Sequence, residues 1–270
     1  MLPVFGYFAA IFIGLALGIM GGGGSILTVP VLVYLMGIGP VRSTAYSLFV
    51  VGSTALVGAA QYGRKGLVAG PTALVFLATS SVAVFATRRF LLPLLPPELF
   101  VVGSLVVSKD LLVLVAFAAL MVAAATSMIR GQQAETALAA EAPRAVSYPL
   151  ILGVGAVVGG LTGFVGAGGG FLIVPALVLF ARLPMKQAVG TSLAIIAINS
   201  LIGFGGDLLA GMPIDWSFLA GFLSFALGGI VLGTYQARFV SGARLKPAFG
   251  WFILAMGTFI LTKELLLHRW

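Results

Sequence analysis

The sequence predicts an all-α polytopic membrane protein made of two inverted five-segment repeats, each with a glycine-rich break beside a short half-helix. Three observations carry this. Of 270 residues, 60% are hydrophobic and 8% charged, with a mean hydropathy of +1.17, whereas a soluble domain carries about 25% charge. Apolar runs approaching the roughly 20 residues that cross a bilayer recur along the whole chain. Finally, Gly18-Ile-Met-Gly-Gly-Gly-Gly-Ser-Ile-Leu-Thr-Val-Pro30 returns 145 positions later as Gly163-Phe-Val-Gly-Ala-Gly-Gly-Gly-Phe-Leu-Ile-Val-Pro175. Aligned without a gap, residues 18–58 and 163–203 share 13 identities in 41 positions, where roughly a tenth is expected by chance.

The first run, Leu2–Met20, is long enough to span at about 1.5 Å per residue. Gly21–Gly24 interrupt it. The short piece from Ser25 to Met36 follows, either a kinked helix starting near Ser25 or a half-depth one starting near Thr28, since Pro30 suits a first turn. Spans are expected at 43–61 and 67–87, the latter stopping at Arg88-Arg89. Pro93, Pro96 and Pro97 break the next segment, in which 99–107 is apolar but too short to cross. A fifth span covers 111–129. The polar, Ala-rich stretch 131–147 suits a linker and divides a first repeat, 1–130, from a second, 148–270.

The order then repeats: a span at 148–164, glycines at 166–170, a short piece at 171–181, and spans at 187–205, 216–235 and 247–266. An odd number of segments per half inverts the second half. Glycine-interrupted segments at matched places in two halves point to a transporter's binding site.

Charge and composition exclude several classes. The net charge of +8 is spread over short loops, a pattern that sets topology and meets anionic lipid rather than nucleic acid. Counting Lys and Arg per face gives nine on the linker side against six opposite, which places the linker in the cytoplasm and both termini outside. Absence of cysteine rules out disulfides and thiolate metal sites, and the single histidine, His268, cannot form a metal site alone. With no paired-acid, His or Cys constellation, neither catalysis nor a cofactor is expected. No carboxylate and no Lys or Arg falls in the middle of an expected span, and Asp207 reads as a solvated acid just past its own. A buried carboxylate relay is therefore not expected.

What remains is the chemistry of the breaks. Glycines let the backbone approach a ligand, and the first N–H groups of the following helix have no partner within it. Each helix start carries about half a positive charge. Two facing starts would suit a small monoanion such as a sulfonate, sulfite or carboxylate. The candidate binding residues are Gly22, Gly23, Gly24, Ser25 and Thr28 in the first half, and Gly168, Gly169, Gly170, Thr191, Ser192 and Asn199 in the second. Ser47 and Thr54 are the aligned mates of Ser192 and Asn199. The competing role for glycine is helix packing, and the four-residue spacings Gly14/Gly18 and Gly159/Gly163 read that way.

The doubled motif, 21–30 and 166–175, together with Ala188-Val-Gly-Thr-Ser-Leu193, resembles the TauE/SafE sulfite exporter family over essentially the whole chain. The resemblance implies a permease of the bacterial or archaeal plasma membrane for a sulfur-containing anion such as sulfite or sulfoacetate, working by alternating access, with both glycine motifs lining the site. One departure is Tyr46, where the second half has Thr191. A channel-like facilitator of small inorganic anions and a non-transporting membrane scaffold stand as alternatives. The expected partners are the small anion and the lipid bilayer.

Overall fold

The long apolar runs are helical in the computed structural model, which describes residues 2–96, 98–102, 105–138, 148–237, 239 and 242–264. They fall into two compact units, residues 1–94 with 147–238, and residues 95–146 with 239–270. Each unit draws on both sides of the linker read from the sequence. Of that linker, 131–138 continue the preceding helix, while 139–147 lie outside the described residues, as does His268.

In the first unit α1 spans Leu2–Met20 and ends at Gly21, whose φ of +73° is left-handed. Glycine takes that conformation without the steric cost other residues meet. Helix α2 (Ser25–Pro30) starts at the earlier of the two expected places and runs into a π-helical turn, Val31–Leu35. Widening of this kind suits the interrupted hydrogen-bond ladder at a proline. Helix α3 (Pro40–Gly63) opens on a proline, whose missing N–H is no loss in a first turn.

Helix α4 (Gly70–Ala86) departs from expectation. It continues through a π-helical turn, Thr87–Leu91, into a short α5, Leu92–Leu94. The fourth span thus covers the 25 residues Gly70–Leu94 and does not stop at Arg88-Arg89. In the second half α7 (Tyr148–Val165), α8 (Gly170–Leu179), α9 (Met185–Leu209) and α10 (Trp216–Gln236) follow the expected order. Helix α9 runs through Asp207, which is helical and buried rather than a solvated loop acid.

The second unit holds a β-hairpin and two helices. Strands β1 (Glu98–Val102) and β2 (Leu105–Ser108) pair antiparallel, with Val102 opposite Leu105; this is the apolar stretch too short to cross. Helix α6 (Lys109–Leu138) packs on α11 (Gly242–Thr262). At Gly257 an added Cβ would lie 3.1 Å from both Met121 and Val122.

Among the described residues, four helices are long and apolar enough to cross a membrane: Pro40–Gly63, Gly70–Leu94, Met185–Leu209 and Trp216–Gln236. Buried fractions of 67% and 72% for α3 and α9, against 39% for the other two, put α3 and α9 at the centre of the first unit. Phe5, Phe8 and Phe12 lie exposed on one face of α1, as do Leu74 and Val82 on α4. In water such faces would aggregate; in a multi-pass membrane protein they meet lipid.

Packing crosses between the halves. Helix α1 packs on α10, α4 on α7, and α3 on α9. Gly14 lies against the backbone of Ala226 and Ile230, and Gly159 against that of Ser80, as their spacing suggested. These contacts correspond at offsets of 145 in one helix and 146 in the other. Gly58 against Leu193 and Ile230, and Gly203 against Leu48 and Val84, form a second such pair. Arg182, with φ +54°, occupies the place of Gly37, with φ +69°, so even the turn before α9 repeats the turn before α3.

Candidate functional site

The two glycine breaks meet. A Cβ on Gly22 would lie 2.5 Å from Cα of Gly170, and one on Gly170 would lie 2.6 Å from Cδ1 of Ile196 while striking Gly22. Only hydrogen at both positions permits this backbone-to-backbone approach. The other glycines of the breaks approach neighbouring helices. Gly24 lies against α1 at Ile13 and Leu17, and Gly169 against α7 at Thr162. Gly168, with φ +67°, faces Val51 on α3 and Ser200 on α9, its added Cβ falling 2.9 Å from Ser200 Oγ. Gly23 is buried.

Several hydroxyl and amide groups singled out from the sequence are engaged within the chain. Ser25 Oγ donates to Gly22 O at 2.7 Å, tying α2 to its own break. Ser192 Oγ donates to Val189 O at 2.8 Å, with Gly21 O a longer alternative at 3.3 Å. Asn199 joins α9 to α4: its Nδ2 donates to Ser80 Oγ at 2.9 Å and its Oδ1 accepts from Ser81 Oγ at 2.7 Å.

Thr191 and Tyr46 turn out to be a matched pair. Ala69 N, at the start of α4, donates to Thr191 Oγ1 at 2.9 Å, and Asp215 N, at the start of α10, donates to Tyr46 Oη at 2.8 Å. Asp215 in turn caps α10 by accepting from Phe218 N at 3.0 Å. Tyr46 reaches from one α-helix what Thr191 reaches from the other, so the departure noted in the sequence serves one shared job. Tyr46→Phe and Thr191→Val should each lower stability by about 1 kcal/mol, the value of a partly buried hydrogen bond. Anion affinity should stay within about twofold on that small scale; a larger loss in Thr191→Val would return that hydroxyl to the binding site.

Among the described residues, four buried hydroxyls have no hydrogen-bond partner: Thr28, Ser47, Thr54 and Ser200. Each would cost about 1–3 kcal/mol if left permanently unmet. Their placement is coherent. Thr44, Ser47, Val51 and Thr54 share one face of α3 by helical spacing. That face touches the second break at both ends of about two turns, Thr44 against Gly166 and Val51 against Gly168. Ser200 meets Gly168 from α9. Thr28, also unpaired, stands on α2 just after the first break.

A charged group that the sequence reading took for the end of a span stands beside them. Arg88 is fully buried within the Gly70–Leu94 span. Its Nη1 lies 3.2 Å from Asp207 Oδ2 and donates to Thr44 Oγ1 at 2.9 Å. Thr44 Oγ1 donates onward to Val41 O at 2.7 Å. Beyond Arg88 and Asp207, sequence reasoning also missed Ser200, Ser80 and Ser81. The continuation Phe90–Leu94 was the available signal that a helix carried on past the two arginines.

Comparison with known proteins agrees with the membrane architecture. The sequence profile described as "Sulfite exporter TauE/SafE" matches residues 6–260. A probable membrane transporter protein of Xylella fastidiosa is 30% identical over 262 residues, covering 93% of this chain and 92% of the relative. Probable membrane transporter proteins of Methanocaldococcus jannaschii and Bacillus subtilis are 35% and 37% identical over 113 and 93 residues. These shorter matches cover 40% and 34% of this chain, and 42% and 34% of the relatives. No solved structure matches the chain.

Proposed function

The chain belongs to the sulfite exporter TauE/SafE family and is a membrane transporter rather than an enzyme; on that premise we propose that it is a plasma-membrane permease for a small sulfur-containing anion, sulfite or an organosulfonate such as sulfoacetate. The observation that carries this is the meeting of the two glycine breaks beside four buried hydroxyls that have no partner among the described residues. Gly170 and Phe171 open α8, and N–H groups at such a start have no acceptor within the helix. N–H donors of this kind, neutral and preoriented, suit an oxyanion, and the hydroxyls can donate to the same anion.

The same reading makes the two halves inverted repeats that alternate access to a site between them. Its support is the recurrence of contacts: α1 on α10 mirrors α7 on α4, and α3 meets α9, its own counterpart. Two structurally similar halves sharing one site can exchange their arrangements, which gives two accessible states of nearly equal energy. Loop charge favours a cytoplasmic linker and external termini.

Purified protein in liposomes tests the proposal with sulfite, sulfoacetate, taurine, thiosulfate, sulfate and acetate. Saturable movement of sulfite or a sulfonate is expected, accelerated by the same anion on the opposite side. Acceleration from the far side requires a site that faces one side at a time. Flux without saturation or such exchange would favour a channel, and exchange confined to acetate would remove sulfur from the description.

A further inference from the structure

We propose that Arg88 is the residue that receives the anion's charge, through the edge of its guanidinium formed by Nε and Nη2. This deepens the anion-permease proposal and rests on it. A guanidinium offers two forks of parallel N–H groups, one of which joins Nε to Nη2, and each matches a carboxylate, sulfonate or sulfite through two oxygens at once. In this structure Asp207 and Thr44 both take Nη1. Nε and Nη2, the two atoms of the side-on fork, are fully buried and have no partner among the described residues. Nη2 lies against Gly166, whose missing side chain would otherwise fall on it and on Thr44. The free edge therefore abuts the second glycine break, one helical turn along α3 from the unpaired hydroxyl of Ser47.

The opposite half shows that the packing does not require this charge. By the offsets already established, Asp207 corresponds to Tyr62 and Arg88 to Thr234. There the interior is closed by neutral groups: Tyr62 Oη donates to Gly18 O at 3.1 Å, and Thr234 bonds Gln61. The backbone turns around the two positions are alike, since Leu67 N donates to Tyr62 O and Met212 N to Asp207 O, both at 3.1 Å. An ion pair that the fold closes without in one half, and leaves half-satisfied in the other, is placed for a ligand. Asp207 then holds the guanidinium ready from one side, and the anion takes the fork that Asp207 leaves open.

Binding of sulfite and sulfoacetate to the purified full chain, measured calorimetrically with chloride as a one-atom control, separates the possibilities. Asp207→Asn removes a negative charge that opposes the anion and should tighten binding by about tenfold. Arg88→Lys keeps the charge but has no fork, and should weaken it by tenfold or more. The neutral double variant Arg88→Gln/Asp207→Asn, which leaves no unpaired buried charge, should lose about a hundredfold. If Asp207→Asn cannot be purified, the other two variants decide. Affinity unchanged in Arg88→Lys or in the double variant would overturn the assignment, because a purely structural ion pair predicts that result. Failure of the unaltered protein to bind any of these anions would instead overturn the anion-permease proposal, and this assignment with it.

Discussion

Arg88→Leu is expected to remove about 3–5 kcal/mol of stability, most of it recovered when Asp207→Leu is added. The single change leaves a carboxylate inside a membrane span without its cation. Apolar replacement of both groups is often neutral or favourable, because neither charge must then leave water. Thr44 does not complicate the comparison, since its hydroxyl donates to Val41 O, 2.7 Å away, independently of the arginine. Unfolding in mixed detergent micelles across the four proteins gives the coupling directly. Equal loss in the single and double variants would mean that Arg88 stabilises through its stem, which packs on α9 near Gly203 and Gly206, and not through its charge.

Gly170→Val should also destabilise and should abolish anion binding in whatever protein survives. Its Cβ would strike the backbone of Gly22, and backbone cannot rotate away as a side chain can. Relief requires the two breaks to separate, and overpacking of that kind costs about 1–3 kcal/mol and sometimes more. Gly168→Val adds strain of a different origin, because at φ +67° a β-branched residue is a conformational outlier. The contrast is Gly205→Ala in α9, where nothing lies within 4 Å of the new methyl group. That change should stabilise by up to about 0.8–1.0 kcal/mol through helix propensity alone. Thermal unfolding with and without sulfite reads both effects, since a ligand that binds only folded protein raises its stability. Gly170→Val retaining an undiminished ligand shift would show that the breaks do not line the site.

How far the sequence carried depends on the range of the interaction. Helices α1, α7 and α10 were legible because each is a local apolar run. The breaks were legible because glycine clusters and prolines are local signals too, and because they occur twice. Arg88 and Asp207 were not, since hydropathy judges each charge alone and two adjacent arginines look like a span's end. Their neutralisation depends on a partner 119 positions away. The hydroxyls divide along the same line. Ser25 and Ser192 bond backbone three residues earlier, a local habit of serine in helices. Thr191 and Asn199 are engaged by groups on α4 or just before it, more than a hundred positions distant. Their commitments could not be read from their neighbours. Duplication offers some remedy, because each long-range contact found in one half can be sought at the matching offset in the other.

The crossed packing of α1 on α10 and α4 on α7 bears on how the protein is made. A ribosome adding about 5–20 residues per second needs roughly 6–24 s to cover the 119 positions from Arg88 to Asp207. Throughout that interval the newborn first half carries an arginine whose counter-ion has not been synthesised; α1 waits still longer for α10, and α4 gains α7 only part-way through. Until Asp207 is made, the charge of Arg88 is tolerated best near the membrane surface. The contacts of α3 with α9 and of α1 with α10 can close only once those helices of the second half have been made.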